Sequence, residues 1–199
     1  MENIANRLHE IVKANERERN GQKISQFERE DLEKKYILRY AKENNLWIKD
    51  FFTLGNYTGL QGNENTILVD VESNSVYKSN NLFNSRFLIS TLLDQVLAHN
   101  HLFPETKYEL VGFTGIDRGE ERTPYIEVVL KQDLIKDARQ ADDEEIMNFM
   151  HSLGFSKIGE AKFSNHEYVV SDMFPRNVLI DVKGVIYVVD DIILNLIHS

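Results

Sequence analysis

The sequence predicts an α+β fold built on an antiparallel sheet. Three observations carry this expectation. Two N-terminal stretches repeat apolar residues at helical spacing: Ile4, Leu8, Ile11 and Val12, then Phe27, Leu32, Tyr36, Leu38, Tyr40 and Ala41. Two β-branched runs at residues 66–71 and 75–79, joined by a Glu-Ser-Asn turn, read as a hairpin, followed by one helix and two more strands. The last third alternates short apolar runs with turn residues. Helices and strands are thus grouped, not alternated as in a parallel sheet.

Taken in order, residues 2–19 form a first helix that Gly21 ends. Ser25 opens a second, with Glu28 three residues on as a capping box, and it reaches about Asn44. The pair makes a helical hairpin, either a structural prop on the main domain or an arm for a protein partner. Residues 46–53 mix aromatics with charges and read as a strand or short helix. Residues 55–62 read as loop, and the hairpin of 66–79 follows. Residues 84–101 form a helix with Phe87, Leu88, Leu92, Leu93, Val96 and Leu97 on its buried face, stopped by Pro104. Strands at 108–114 and 125–131 flank a charged tip, I-D-R-G-E-E-R-T. Residues 142–153 form a helix with acids at its start and Gly154 at its end. Short strands follow at Phe163, 168–170, 178–180 and 185–189, and the apolar tail 192–197 reads as helical.

Composition narrows the function. With 42% hydrophobic residues, 28% charged and only 3 prolines in 199 residues, the chain can bury a core and has no disordered composition. A net charge of −9, with Lys and Arg scattered, disfavours nucleic acid and anionic membranes as partners. The absence of cysteine excludes disulfides, thiolate metal sites and thiol nucleophiles. No apolar run approaches transmembrane length, and the N-terminus lacks a signal core, so a cytoplasmic protein is expected.

The chemistry concentrates near the end, in V-S-D-M-F-P-R-N-V-L-I-D-V-K-G-V-I-Y-V-V-D-D. Asp172 is followed five residues later by Asn177. A turn at 181–184 and an apolar strand then lead to Asp190. Phosphoryl transfer needs few protein groups: a carboxylate to orient the accepting hydroxyl, and an amide and a second carboxylate for metal ions. Upstream, Gly59-x-x-Gly62-Asn63 precedes the hairpin, and Lys78 sits on its second strand in V-Y-K. Glycines let backbone N–H groups approach a phosphate closely.

These motifs resemble protein kinases. They also resemble, more narrowly, the serine/threonine/tyrosine kinase domain of bacterial polyvalent proteins carried by mobile genetic elements. The narrower likeness rests on G-N-E-N, V-Y-K, H-N-H-L-F-P-E-T, Y-E-L-V-G-F-T-G, S-L-G-F and D-x-x-P-R-N-V-L, from about Gly59 to Asp191. It implies a truncated protein-kinase-like fold. A helical extension (1–54) would precede a kinase-like domain (55–199), with an N-lobe at 55–135 and a much reduced C-lobe at 136–199. It implies ATP and Mg²⁺, with Lys78 and Asp172 catalytic. Gly59, Gly62, Asn63 and Lys78 would hold the nucleotide, and Asn177 and Asp190 the metal. Residues 129–133 would form the connection where an adenine ring docks. The acid paired with Lys78 would be Asp94, with Glu105 at the broken end of the same helix. The match departs from the kinase pattern in four places: G-x-G-x-x-G is incomplete, H-R-D is V-S-D, Arg176 lies inside the loop, and Asp191 follows Asp190 where Phe-Gly is usual. The sequence has nine residues after Asp190, too few for a peptide-presenting platform.

Catalysis is therefore open between two readings: a minimal ATP-binding phosphotransferase, and a catalytically inactive kinase-like module, a pseudokinase, that binds a partner. A third reading takes Asp172, Asp181 and Lys183 as a metal-dependent nuclease site, although D-V-K-G between two strands is also an ordinary hairpin turn. His99 and His101 point to different helix faces and do not make a metal pair.

Overall fold

Helix α1 (Glu2–Glu18) turns back into α2 (Gln26–Glu43). The structure, a computed structural model, describes all residues except 20, 62–63, 191 and 196–199. Ser25 caps α2 as its spacing predicts: Glu28 N–H donates to Ser25 Oγ at 3.2 Å, and Ser25 N–H to Glu28 Oε2 at 2.9 Å. The buried face of α2 differs from the expected aromatic row. It consists of Glu33, Lys34, Ile37 and Ala41, while Phe27 is 71% exposed. Two charged residues can be buried there because each has partners: Lys34 pairs with Glu30 at 2.7 Å, and Glu33 is hydrogen-bonded on both oxygens.

The chain divides into two compact units, residues 1–94 with 108–134 and residues 95–107 with 135–199. The first holds a five-stranded antiparallel sheet. Its strands are β1 (Asn56–Gln61), β2 (Asn65–Asp70), β3 (Ser75–Asn80), β4 (Glu109–Ile116) and β5 (Tyr125–Asp133), in the order β1-β2-β3-β5-β4. The segment expected to be loop is thus strand β1. Its pairing with β2 shifts register between Tyr57 and Gln61, where Gly59 takes φ +74°. That irregularity hid the strand from a period-two reading. After α2 the backbone adds a short parallel bridge to β4. Ile48 N–H donates to the Phe113 carbonyl and Phe113 N–H to the Leu46 carbonyl, both at 2.8 Å. A Cβ on Gly112 would stand 2.3 Å from the Leu46 oxygen, so this approach requires glycine.

Helix α3 (Ile89–Leu102) starts five residues later than its periodicity suggests. The Asn80 side chain accepts from Leu82 N–H at 2.8 Å, and that of Asn81 from Phe83 N–H at 3.0 Å. Leu82, Arg86 and Phe87 then adopt positive φ. Asparagine turns therefore win over the helical spacing of Phe87 and Leu88. Residues 129–133 also depart from expectation. They lie inside β5 and not in a connection: β5 is paired with β3 on one side, and Val129–Lys131 also with β4 on the other. The connecting backbone begins at Leu134.

The second unit contains β6 (Ala138–Gln140), α4 (Asp143–Ser152), β7 (Ser156–Gly159), β8 (Lys162–Ser164), β9 (Tyr168–Ser171), β10 (Val178–Asp181), β11 (Ile186–Val188) and β12 (Ile192–Asn195). Two antiparallel sheets form, β11-β10-β6 and β12-β9-β8-β7. Asp142 caps α4 with Glu145 completing the box. The tail read as helical is instead β12, whose Ile192 and Ile193 pair with Ser171 and Val170. β-Branched residues beside an open strand edge favour that choice. The core joins Phe103, Ile146, Met150, Phe163, Val170 and Met173 with Val178, Val188 and Ile193.

Candidate functional site

The loop from Asp172 to Asn177 leaves β9 and enters β10. Met173 is buried in the core of the second unit and Phe174 packs against it, which fixes the middle of the loop. A short 3-10 turn, Pro175–Asn177, closes it. Asn177 is 92% buried, being 8% exposed, and its Nδ2 donates to both the Asp172 carbonyl (2.8 Å) and Asp172 Oδ2 (2.9 Å). Arg176 Nη2 donates to the other carboxylate oxygen, Oδ1, at 2.7 Å, and its guanidinium carbon lies 4.4 Å from the centre of the Phe174 ring. Asp172 sits at φ +64°, a left-handed conformation that Asp tolerates better than most residues. The amide and the guanidinium thus hold an acid that its own backbone points out of regular structure.

The five-residue spacing has a second consequence. Val189 N–H donates to the Asn177 carbonyl at 2.9 Å, so Asp190 follows directly on a residue tied to Asn177. With both Nδ2 hydrogens engaged by Asp172, the Asn177 Oδ1 is a buried amide oxygen without a hydrogen-bond donor among the described residues. Buried polar atoms are rarely left unmatched, and a hard cation is one way to satisfy this one. An amide oxygen next to a carboxylate suits Mg²⁺, which takes one or two protein oxygens and completes its shell with water and phosphate. No cluster of three or more His, Cys, Asp or Glu able to hold a metal occurs among the described residues.

Asp181 behaves as a turn residue. Its Oδ1 accepts from Lys183 N–H at 2.8 Å and Val185 N–H at 2.9 Å, and Tyr187 donates to Oδ2 at 3.2 Å. The Val185 bond, with lesser help from Lys183 and Tyr187, holds this carboxyl below its ordinary range. The D-x-K pattern is therefore spent on the β10–β11 hairpin, with Val182 89% exposed at its tip. His99 is likewise structural, its Nε2 3.0 Å from the Thr106 carbonyl.

Lys78 lies in the first unit on β3, opposite Ile67 and Leu130. It is buried, at 6% exposure, and its ammonium donates to the Tyr108 hydroxyl at 2.8 Å. The nitrogen is 5.0 Å from the ring centre, so it meets the phenol at its oxygen and not over its face. Asp94 does not pair with Lys78. Its carboxylate meets His9 Nε2 from α1 at 2.9 Å. Gly59 is on β1, with open space where a side chain would be. Gly62 and Asn63 lie outside the described residues.

Sequence reasoning missed two partners. Tyr108 was legible only as the start of a strand, although a hydroxyl is the one polar atom a tyrosine can offer a buried ammonium. Arg176 stands four residues after Asp172, a spacing that suits an ion pair in any tight turn, yet nothing in the sequence fixes the bond.

Asp172 and Asn177 thus share one closed loop, and Asp190 ends the hairpin that follows it. The chain belongs to the family described as serine/threonine/tyrosine kinase found in polyvalent proteins, whose model matches residues 30–196. No curated protein and no solved structure matches the chain.

Proposed function

We propose that this chain is a minimal kinase-like phosphotransferase that uses ATP with Mg²⁺. Its first unit takes the place of an N-lobe and its second that of a much reduced C-lobe. The observation that carries the reading is the closed loop Asp172–Arg176–Asn177, tied through Val189 to Asp190. Lys78, with Gly59 on β1, binds the phosphates. Asn177 Oδ1 and Asp190 hold the metal, which when bound neutralises charge on the phosphates.

Asp172 orients the accepting hydroxyl. As the oxygen–phosphorus bond forms, Asp172 takes the hydroxyl proton, the bond from the γ-phosphorus to the bridging oxygen breaks, and ADP leaves with that oxygen. Each carboxylate oxygen of Asp172 receives a hydrogen bond from the loop, which fixes its direction.

The inactive kinase-like module is the second reading, and the engagement of Asp94 by His9 favours it, because the helix acid expected to pair with Lys78 is used elsewhere. Asp172→Asn decides between the two. An active enzyme should lose about 10²–10⁴-fold in turnover while its ATP affinity, measured by calorimetry, stays within twofold. ATP binding without any turnover in the wild type would instead identify the module.

A further inference from the structure

We propose that the exposed phenylalanines at the start of α2 and just before α3 form a docking surface for a short acidic segment of a partner protein. The loop between β3 and α3 is packed the wrong way round for a free surface: it buries Ser85 and exposes Phe83 (58%) and Phe87 (41%). The arrangement is held in place. Ser85 Oγ donates to the Leu82 carbonyl at 3.0 Å, and Phe87 N–H donates to the same carbonyl at 2.8 Å. Leu82, Arg86 and Phe87 all keep positive φ, a conformation that strains a bulky side chain and persists only where the surroundings impose it. The two rings meet edge to face, 6.1 Å between centres. Helix α2 joins the patch at two points: Gln26 Nε2 donates to the Arg86 carbonyl at 3.0 Å, and the Lys34 ammonium lies 5.7 Å from the Phe87 ring centre. Phe27, more exposed than either ring of the loop, shares a face of α2 with Lys34, seven residues on.

Area and charge decide the occupant. At about 200 Å² per ring, the three exposures leave about 300–400 Å² of aromatic surface, within the range of patches that are often functional. A stable dimer buries about 800 Å² on each partner, so the patch suits a short segment and not a second copy. Its rim is basic in a chain of net charge −9. Arg86 is exposed beside the rings, and Lys23 is exposed in the turn that leads into α2. Neither is paired with an acid among the described residues. The neighbouring acids are occupied: Glu28 pairs with Arg19 at 2.7 Å, Glu30 with Lys34 at 2.7 Å, and Glu64 accepts from the Asn84 side chain. Free cations around exposed rings select carboxylates next to aromatic or leucine side chains.

The test uses the full chain and a fluorescent peptide, E-E-L-W-E-E, with K-K-L-W-K-K as its charge-reversed control, read by anisotropy. The acidic peptide should bind with a Kd below about 1 mM at low salt and weaken as salt is added. Phe27→Ser and Phe83→Ser should each raise that Kd at least about fivefold. Arg86→Gln should raise it for the acidic peptide as well. Circular dichroism should match the wild type in all three, because these side chains are exposed. Phe52→Ser, which removes a comparably exposed ring from the turn before β1, should change nothing. No binding, equal binding of the basic peptide, or the same loss in Phe52→Ser overturns the inference. A concentration-dependent dimer in sedimentation velocity that Phe83→Ser abolishes would assign the patch to a second copy, and overturns it too.

Discussion

At the scale of single residues, the account turns on which side chains hold which. Asp172 and Asn177 stand out in the sequence as an acid and an amide five apart, with proline between and strands on both sides. The bond of Asn177 to both the carbonyl and the carboxylate of Asp172 gives that spacing its reason. The acid expected beside Lys78, Asp94, instead meets His9, and the Lys78 ammonium donates to the Tyr108 hydroxyl. Tyr108→Phe removes that acceptor and keeps the ring. It should weaken Mg·ATP binding about three- to tenfold and cost about 1–2 kcal/mol of stability. Calorimetry and urea unfolding measure the two. An unchanged affinity would mean that Tyr108 does not position Lys78 for phosphate.

At the scale of elements, the helix termini were the most legible parts. Ser25 with Glu28 forms the capping box its spacing predicts, and Asp142 with Glu145 forms a second where the sequence suggested only acids at the helix start. The start of α3 was misread because the asparagine turns at 80–81 are local chemistry that an apolar period cannot report. β7 was missed because its residues, S-K-I-G, are exposed and carry no alternation of burial. The N-terminal helices do more than cover the sheet. Glu33 of α2 is 1% exposed and caps α3 from outside it: its Oε2 accepts from Ser90 N–H at 2.9 Å and its Oε1 from Ser90 Oγ at 2.6 Å. Arg29 donates to the same carboxylate at 3.0 Å and to Ser90 Oγ at 2.9 Å. The carboxylate thus satisfies an N–H that the helix leaves unpaired and sits at the favourable end of its dipole. Glu33→Ala should destabilise the fold by about 2–4 kcal/mol, because it leaves the buried Ser90 N–H unpaired and removes the carboxylate from Arg29. Denaturant unfolding checks this. A loss below about 0.5 kcal/mol would show that α2 is a detachable arm and not part of the first unit.

At the scale of the whole molecule, the α+β class was legible from the grouping of elements, whereas the tail was not: its isoleucines serve a helix or a strand equally well, and only the open edge of β9 decides. Charge sets the acid limit of stability. The Glu28 carboxyl is pulled from 4.5 to about 2 by Arg19 first and the Ser25 N–H second. Glu145 is pulled from 4.5 to about 2 by Arg139 and then by the Asp142 N–H. Both pKa values are lower in the folded state. Their contribution is therefore complete above pH 4.5 and is lost as pH falls from there toward about 2. Both are surface pairs, so the effect should shrink in high salt. Glu145→Gln should give a shallower fall in stability across that interval at low salt, followed by thermal unfolding against pH. An identical slope would mean that the Arg139 pair is not formed in solution.

The central claim is that this chain binds ATP with Mg²⁺ and that Lys78 takes part in holding the phosphates. Calorimetric titration of the full chain with ATP, with and without Mg²⁺, reaches it most directly. The account predicts saturable binding that requires Mg²⁺ and weakens at least about tenfold in Lys78→Met. Silence at every nucleotide concentration, or binding indifferent to both the metal and Lys78, would contradict it.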